Sequence, residues 1–404
     1  MFGWEFPPHH SGGLGVACYG LTRAMTSLGA SVLFVMPKKL DVGAPWVKMV
    51  FADIPEIAAR IINSPVRAYA WNKKYARPEV YGFDLMEEVL RYAQAGREIA
   101  LEEQFDIIYA HDWLSFGAGV EAKKATGKPL IVHVHATEFD RCAVPAEASA
   151  KAGWNKESIN EQVYELEKEG MQAADVVIAV SQFTKDLIVR EYGIPAEKIR
   201  VVHNGIDEST APTGSGALPR LRQLKHAGYK LVLFLGRITL QKGPDYFVRT
   251  AKRVSERNNK VLFVLSGSGD MESQVMDLAA RLGISDKVLF TGFVGGHERH
   301  EMYAAADLFV MPSVSEPFGL STLEAMKLGV PVLVSKQSGI SEVVRHALKA
   351  DFWDIDEMAN KILSTLKHAP LSSSLSKNGI READRLTWES AAQKVDSIIH
   401  ELTA

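Results

Sequence analysis

Short apolar segments rich in β-branched residues alternate with helix-period segments along most of the chain. A strand, a helix and a second strand in succession form a βαβ unit, so the pattern predicts an α/β fold with parallel sheets covered by helices on both faces. A first series of predicted strands comprises Ser31–Met36, Asp106–Ala110, Pro129–His135, Asp175–Val180 and Arg200–His203. A second series comprises Lys230–Gly236, Lys260–Leu265, Lys287–Phe290, Asp307–Met311 and Pro331–Ser335.

The stretch Ser209–Pro219, rich in Gly, Pro, Ser and Thr, separates the two series. Stretches of this composition typically join domains. We therefore predict two doubly wound, Rossmann-like domains, residues 1–206 and 207–387, facing each other across a cleft. A final apolar-periodic helix is predicted over residues 388–404. Ligands of open α/β sheets bind at the carboxyl ends of the strands, so we expect the functional residues there.

Composition and charge exclude several classes of protein. The chain has 404 residues, 47% hydrophobic and 24% charged, with a net charge of -3, which is typical of a globular protein and gives no reason to expect nucleic acid or a membrane surface as partner. Two cysteines without zinc spacing, and no signal or spanning segment, predict a cytoplasmic protein without structural metal. Only Met1–Phe6 precede the first glycine-rich loop, fewer residues than a complete strand with its lead-in requires.

The first candidate motif is Ser11-Gly12-Gly13-Leu14-Gly15, followed by a helix-period segment. Glycines at the start of a helix let backbone N–H groups approach a phosphate, and the helix dipole favours an anion there. A simple tight turn is the alternative. Gly12 and Gly13 are therefore candidate phosphate-binding residues.

A second loop, Gly236–Pro244, directly follows a predicted strand and contains Arg237 and Lys242. Two permanent cations at the carboxyl end of a sheet suit a diphosphate, whereas two solvated surface cations are the alternative.

The third motif is Ser315–Met326, which contains Glu316 in a loop and Glu324 on the following helix. One carboxylate can reach sugar hydroxyls, and the other lies about two helical turns further along. The free N–H groups near Gly319 and Leu320 begin that helix and point at the expected cleft.

A fourth set ends two strands of the first domain: His111-Asp112-Trp113, and His133-Val134-His135. His133 and His135 share one strand face, so a metal pair is conceivable, but a polar lining for a sugar is favoured and no metal is predicted. Asp354-Ile355-Asp356 precedes a helix-period segment, so we interpret it as helix capping rather than as a metal-binding DxD.

Together these residues resemble a retaining glycosyltransferase of the GT-B architecture, specifically the family 4 and glycogen synthase group. The resemblance covers nearly the whole chain. It rests on Ser11–Gly15, His111–Trp113, His135, Val202–Asp207, Arg237, Lys242, Gly267–Gly269 and Glu316–Glu324. Two departures concern Ser321, where glycogen synthases have threonine, and the segment Cys142–Ile159, which is longer than expected.

The resemblance implies that the first domain binds the acceptor, that the second binds the nucleotide sugar, and that the last helix crosses back to the first domain. Arg237 and Lys242 would then hold the diphosphate, Glu316 the transferred hexose and Glu324 the ribose. The remaining implied site residues are His135 and Asp112 beside the sugar, Gly12 and Gly13 at a phosphate, Ser321 nearby, and Gly267, Phe318, Gly319 and Leu320 in the matching donor motifs.

The predicted function is transfer of a hexose, glucose in first place, from a UDP- or ADP-sugar to an oligo- or polysaccharide, with retention and without cofactor or metal. Alternatives within the family are mannosyl, glycolipid or sucrose-type transfer. Rivals outside it are a nucleotide-sugar epimerase, a metal-dependent hydrolase built on His133 and His135, and a non-catalytic nucleotide-sugar-binding protein. The base, sugar, acceptor and oligomeric state stay open.

Overall fold

The computed structural model describes residues 1–9, 12–52, 85–142, 159–207 and 219–404. The chain divides into two compact units. Unit 1 comprises Met1–Glu138, Ser158–Asp207 and Leu386–Ala404, and unit 2 comprises Phe139–Glu157 and Glu208–Arg385. Residues 143–158, most of the long segment after Cys142, and residues 208–218 of the predicted linker lie outside the described part.

Unit 1 contains a parallel sheet on which helices pack. Its strands are Val32–Met36 (β1), Val47–Phe51 (β2), Ile108–His111 (β3), Leu130–Val134 (β4), Val176–Ala179 (β5) and Ile199–Val201 (β6). β1 pairs with β2, and the other strands follow the order β3-β4-β5-β6. In the β3–β4 register, His111 lies opposite His133. The structure thus confirms the predicted parallel α/β fold, and adds the half-exposed strand β2.

The first residues of the chain join the two parts of this sheet. Phe2 forms parallel bridges to Val35 of β1 and Ala110 of β3, and its N–H donates to the Tyr109 carbonyl at 2.7 Å. The expectation that this segment is too short for a complete strand agrees with these single bridges. Three residues suffice to connect the sheet, because the backbone of Phe2 pairs with β3 while Met1 and Gly3 pair with Val35 of β1.

The described helices of unit 1 include the last helix of the chain. They are Gly13–Ser27 (α1), Leu85–Glu102 (α2), Trp113–Thr126 (α3), Glu161–Ala173 (α5), Gln182–Leu187 (α6, extended by a wider turn at Ile188–Tyr192) and, after unit 2, Trp388–Thr403. The short helix Glu138–Arg141 (α4) begins in unit 1, and its other residues belong to unit 2.

That last helix belongs to unit 1 and packs against α1. The side chain of Trp388 is 2% exposed, and a Cβ built at Gly20 would lie 2.3 Å from its Nε1. Ile206 bridges to Thr387, whose side chain caps the helix by accepting from the Ser390 N–H. The chain therefore returns to unit 1 at its end, as the resemblance implies.

Unit 2 contains a six-stranded parallel sheet. Its strands are Lys230–Leu235 (β7), Val261–Ser266 (β8), Val288–Gly292 (β9), Leu308–Met311 (β10), Val332–Ser335 (β11) and Leu348–Ala350 (β12). The order is β12-β11-β10-β7-β8-β9. Five of these strands were predicted. The sixth, β12, is three residues long and only partly buried, so it carries no apolar run that a sequence pattern detects.

Helices cover this sheet, and its core lies between them and the strands. They are Pro219–His226 (α7), Pro244–Ser255 (α8), Glu272–Arg281 (α9), Gly296–Ala305 (α10), Leu320–Lys327 (α11), Ile340–Val343 (α12), Ile355–Lys367 (α13) and Ala369–Ala383 (α14), so the helix Trp388–Thr403 is α15.

Asp354 confirms the capping interpretation of the DxD sequence. Its side chain accepts from the Glu357 N–H at 2.9 Å at the start of α13. Among the described residues, no helix combines the length and the apolar character that crossing a bilayer requires.

Candidate active site

The strand order of unit 2 reverses between β7 and β10. From β7 the chain builds outward through β8 and β9 on one side, and through β10, β11 and β12 on the other. Such a reversal opens a crevice at the carboxyl ends of the two central strands, where ligands of doubly wound sheets bind. The two loops that leave this point, after Leu235 and after Met311, are those that carry Arg237, Lys242 and Glu316.

Glycines let these loops approach one another closely. Gly243 has φ 64, and a Cβ there would lie 2.2 Å from the Pro312 carbonyl oxygen. Gly267, with φ 142, follows β8, and a Cβ there would lie 1.8 Å from the Gly236 carbonyl oxygen. No side chain fits at either position. Packing therefore explains the glycine at position 267, because only a residue without a side chain leaves room for the backbone of the Arg237 loop.

Lys242 and Glu316 meet across this reversal point. The Lys242 Nζ lies 2.5 Å from Glu316 Oε2, and Ser313 Oγ donates to the same oxygen at 3.1 Å. The two side chains are 20% and 8% exposed. Because a carboxylate so deeply buried needs a charged or hydrogen-bonding partner, the pair fixes the Glu316 side chain in position.

The backbone of Glu316 is held as firmly as its side chain. Its N–H donates to the Gln337 carbonyl at 3.0 Å, and its own carbonyl accepts from the Gly339 N–H at 2.9 Å. The preceding Ser315 donates through Oγ to Asp140 Oδ1 at 2.6 Å, and both residues belong to unit 2. Phe139–Cys142 thus support the Glu316 loop, although the sequence-based division places them in the first domain.

Arg237 lies on the same loop as Lys242 and is partly exposed. Its Nη2 donates to Gln241 Oε1 at 3.1 Å, and Gln241 in turn accepts a hydrogen bond from the Val314 N–H through its carbonyl. Gln241 was not predicted as a site residue. Its side-chain oxygen holds Arg237 and its backbone carbonyl holds Val314, so Gln241 links the cationic loop to the carboxylate loop, a role that no local sequence pattern reveals.

Glu324 lies on α11 and is held by two residues of α10. Arg299 Nη2 lies 3.1 Å from its Oε1, and Tyr303 Oη donates to its Oε2 at 3.0 Å. Burial and the nearby Glu324 carboxylate raise the pKa of Tyr303 well above its usual value, so Tyr303 stays a donor. No sequence motif indicates Arg299 or Tyr303, because their proximity to Glu324 depends on how α10 and α11 pack.

The helix α11 begins at the predicted glycine. Gly319 has φ 110 and is the N-cap, so the amides of Leu320 and Ser321 open the helix. Phe318 is a buried core side chain whose carbonyl accepts from the Ile340 N–H at 2.7 Å. Ser321 Oγ lies 3.9 Å from the Met311 sulfur. Of this group, Gly319 and Leu320 have the geometry expected of an anion-binding backbone.

The glycine-rich loop of unit 1 leads into α1. Gly12 is the N-cap, no side chain caps the helix, and a Cβ at Gly12 would meet nothing within 4 Å. Gly12 and Gly13 are exposed, whereas Ser11 lies outside the described residues. The N-terminus of α1 is therefore accessible to an anion, and packing within the described chain does not explain the glycine at position 12.

Asp112 follows β3 in an unusual backbone conformation. Its φ of 57 and ψ of 168 lie in a region almost restricted to glycine, which costs about 1–3 kcal/mol. Its Oδ1 accepts from the His135 N–H at 2.6 Å and from the Ala136 N–H at 3.3 Å. Asp112 therefore ties the end of β3 to the end of β4 and fixes the backbone of His135.

Three imidazoles lie together at these strand ends. His111 Nδ1 lies 3.1 Å from His135 Nε2, the rings of His133 and His135 stack with centroids 4.2 Å apart, and Tyr109 Oη lies 2.8 Å from His133 Nδ1. Burial lowers the pKa of His111 and His133 well below the usual value and that of His135 to about 3. All three imidazoles are therefore neutral around pH 7.

Two families of known proteins match the chain. The family described as Glycosyltransferase Family 4 matches residues 11–210, and the family described as Glycosyl transferases group 1 matches residues 220–382. The first match covers most of unit 1 together with Phe139–Glu157 of unit 2 and the start of the linker, and the second lies in unit 2.

Two relatives support the same assignment, and one solved structure has a similar fold. An uncharacterized glycosyltransferase of Methanocaldococcus jannaschii is 31% identical over 86% of this chain and 82% of its own length. The glycogen synthase of Mycobacterium tuberculosis is 26% identical over 85% of this chain and 79% of its own length. The crystal structure of Anabaena HepE in complex with UDP and glucose has a TM-score of 0.70 at 20% identity, covering 99% of this chain and 98% of that one.

The loops at the reversal point of unit 2, the helix that returns to unit 1 and these matches all lead to one assignment. The chain belongs to glycosyltransferase family 4, whose members have the GT-B architecture and use nucleotide-sugar donors.

Proposed function

We propose that the protein is a retaining hexosyltransferase that moves glucose from UDP- or ADP-glucose to a hydroxyl group of an oligo- or polysaccharide. The observation that carries the proposal is the contact of 2.5 Å between Lys242 and Glu316 at the strand-order reversal of unit 2. The contact brings together a cation that can bind a diphosphate and a buried, oriented carboxylate. They lie at the strand-order reversal, where doubly wound sheets bind nucleotides. The glycogen synthase relative supports glucose as the sugar and a glucan as the acceptor.

In this proposal unit 2 holds the donor. Arg237 and Lys242 bind the diphosphate, aided by the amides of Gly319 and Leu320, because the oxygens of a diphosphate suit both fixed cations and helix N-termini. Glu316 contacts hydroxyls of the hexose. Glu324 accepts from the ribose hydroxyls, with Arg299 and Tyr303 fixing its carboxylate.

Unit 1 serves the sugar and the acceptor. His135, with its backbone fixed by Asp112, contacts a hydroxyl of the transferred sugar as a neutral imidazole. Gly12 and Gly13 offer backbone N–H groups to a phosphate. Neutral imidazoles and peptide groups suit the recognition of a carbohydrate, because both can donate and accept hydrogen bonds.

Retention then does not depend on a carboxylate nucleophile. Retaining glycosidases place two carboxyl groups about 5–5.5 Å apart, one of them as nucleophile. Here Glu316 is paired with Lys242, and Glu324 with Arg299, so both carboxylates have positioning partners. As the bond from the anomeric carbon to the diphosphate oxygen breaks, Arg237 and Lys242 stabilise the developing charge. The departing diphosphate oxygen accepts the proton of the attacking hydroxyl, whose oxygen bonds to the same face of the sugar.

The direct test measures donor and product together. We expect the full-length chain to release UDP or ADP from the corresponding glucose donor only when an oligoglucan is present, and NMR of the product to show the donor's anomeric configuration. A thermal-shift screen of UDP-, ADP- and GDP-sugars identifies the base, because a ligand that binds only the native state raises the melting temperature.

Glu316→Gln separates binding from transfer. The variant keeps the shape of the side chain and loses its charge, so we expect calorimetric affinity for the free nucleotide diphosphate to change little. The transfer rate should fall by about 100-fold or more. Glu256→Gln, which makes the same change at a 44% exposed glutamate of the same unit paired with Lys252, is the matched control.

Three results would contradict the proposal. Transfer by Glu316→Gln at the parental rate would remove the assigned role of Glu316. Formation of a second nucleotide sugar without acceptor would identify an epimerase, and nucleotide binding without turnover of any donor would identify a binding protein. Transfer of mannose or another sugar, or transfer to a lipid or sucrose-type acceptor, would instead redirect the specificity within the family.

A further inference from the structure

The ends of β3 and β4 bring together three histidines from two neighbouring strands. His111 lies opposite His133 in the strand register, and His135 lies two residues further along β4 on the same face. One ring nitrogen of each residue lies within 4.8 Å of those of the other two. The sequence suggested only the pair His133 and His135, because the third histidine comes from the adjacent strand.

Two of these imidazoles have ring nitrogens without hydrogen-bond partners among the described residues. They are His111 Nε2 and His133 Nε2, both inaccessible to solvent. The whole residues are 0% and 2% exposed. A buried polar atom without a partner is unfavourable by about 1–3 kcal/mol, so a ligand that occupies both nitrogens gains free energy on binding.

We propose that His111, His133 and His135 bind one divalent transition-metal ion, Zn²⁺ in first place. Three imidazole ligands with a remaining open position are a known zinc arrangement. Mg²⁺ and Ca²⁺ prefer oxygen ligands, so this set of nitrogens discriminates against them. Zn–N bonds of about 2.0–2.1 Å require the three nitrogens to approach one another, each moving by less than about 1 Å.

The neighbouring residues are arranged as partners of metal-binding histidines usually are. Tyr109 Oη lies 2.8 Å from His133 Nδ1, which orients the ring and leaves Nε2 for the ion. Asp112 fixes the backbone of His135 through its N–H. Burial already favours the neutral imidazoles that a metal requires. His135 is the partly exposed member of the group, and on binding it exchanges its contact with His111 for the ion.

Occupation of this site has a consequence for transfer, which rests on the proposed function. His135 is assigned to the sugar there, and an ion that engages its imidazole withdraws it from that contact. Zinc is therefore an inhibitor of transfer rather than a cofactor.

The binding experiment uses Co²⁺ as a spectroscopic probe for Zn²⁺. The full-length protein, stripped with chelator and dialysed, is titrated with Co²⁺ and then with Zn²⁺. We expect one Co²⁺ per chain, visible absorption typical of four-coordinate cobalt without a thiolate charge-transfer band, and displacement by Zn²⁺. His133→Gln and His135→Gln should weaken binding at least tenfold. His400→Gln, an exposed histidine of the same unit, should leave binding unchanged.

The parental protein alone can overturn the proposal, whatever the variants do. Absence of stoichiometric Co²⁺ binding, or a thiolate band that assigns the ion to Cys18 or Cys142, would exclude the site. Retention of binding by His135→Gln, which is the variant at the partly exposed position, would exclude the three-histidine ligand set.

Transfer assays distinguish this proposal from the proposed function. Zn²⁺ should reduce the transfer rate at least tenfold, reversibly with chelator, while Mg²⁺ has no effect. Stoichiometric binding without inhibition would keep the metal site and remove the sugar contact assigned to His135. Inhibition that persists undiminished in His133→Gln would place the inhibitory ion elsewhere.

Discussion

The donor loops of unit 2 and the histidine cluster of unit 1 occupy comparable positions, at the carboxyl ends of central parallel strands, but they differ in charge. In unit 2 the cationic and acidic side chains pair with each other: Lys242 and Glu316 lie 2.5 Å apart and are 20% and 8% exposed. In unit 1 the pKa of His135 is lowered to about 3, and those of His111 and His133 also lie far below the usual value, so the imidazoles are neutral.

This difference follows from what surrounds each group. Glu316 and Glu324 each have a cation and a hydroxyl within hydrogen-bond distance, which are the partners that a buried carboxylate needs. The histidines of unit 1 have other imidazoles and a tyrosine as neighbours, and desolvation then favours the neutral form. The strand ends of unit 2 therefore suit an anionic donor, and those of unit 1 suit hydroxyl groups or a transition metal.

Lys242→Met should produce the largest effect, because it removes the charge of unit 2 and keeps the aliphatic stem. A charge-assisted contact that strengthens in the transition state is worth about 1.5–3 kcal/mol or more, so we expect kcat to fall about 10- to 100-fold at saturating donor. Steady-state kinetics measure the change.

The control for that variant is Lys336→Met. Lys336 also forms an ion pair in unit 2, at 2.8 Å to Asp351, but its side chain is 49% exposed. Exposed pairs contribute little, so both kcat and stability should stay near the parental values. Equal losses in the two variants would mean that general charge, and not the position of Lys242, determines the rate.

Gly267→Ala should disrupt the proposed donor site by displacing the loop that carries Arg237, without removing a charge. The new Cβ would lie 1.8 Å from the Gly236 carbonyl oxygen, at a φ of 142 that alanine rarely adopts. We expect unit 2 to lose roughly 3 kcal/mol or more of stability. Urea denaturation monitored by circular dichroism measures this loss.

The control for Gly267→Ala is Gly236→Ala, in the loop that Gly267 approaches. At Gly236 a Cβ would meet nothing within 4 Å and the φ is not positive, so Gly236→Ala should change stability by less than about 1 kcal/mol. If both variants were equally stable, the close approach of these two loops would not exist in solution.

The two loops at the strand-order reversal of unit 2 could be singled out from the sequence because their information is local, and their role in donor binding stays a prediction. Arg237 with Lys242, and Glu316 with Gly319, each lie within one strand-to-helix loop of distinctive composition. The contact between Lys242 and Glu316 spans 74 positions and depends on β7 lying beside β10. Strand order is set by tertiary packing, so no local pattern encodes that contact.

Unit 1 was predicted less completely for the same reason. His133 and His135 share a strand, and their spacing is visible in the sequence, but His111 joins them only through the β3–β4 register. The supporting residue Tyr109 was missed because a tyrosine in an apolar strand carries no motif. The strand β2 was missed because its residues are half exposed and alternate weakly.

Tyr303→Phe should have a smaller effect than the charge and glycine variants. It removes the hydroxyl that donates to Glu324 Oε2 at 3.0 Å and leaves Arg299 in place. If Glu324 binds the ribose, the KM for the donor should rise about 3- to 10-fold while kcat changes little, since Arg299 still orients the carboxylate and the lost hydroxyl does not itself contact the donor. Tyr229→Phe, whose ring contacts Lys260, is the control. A fall in kcat with unchanged KM would instead connect Glu324 to the chemical step.

The smallest effect is expected from removing metal ions, and this result tests the comparison between the two edges most directly. Arg237 and Lys242 already supply positive charge where the donor diphosphate is proposed to bind, so excess chelator should change kcat by less than about twofold. Loss of turnover that Mn²⁺ or Mg²⁺ restores would mean that an ion, and not these two side chains, neutralises the diphosphate. Loss that Zn²⁺ alone restores would make the histidine cluster part of the reaction instead of an inhibitory site. We expect an unchanged rate in chelator together with inhibition by added Zn²⁺. This combination requires both that cationic side chains of unit 2 bind the diphosphate and that the neutral histidine cluster of unit 1 binds the metal.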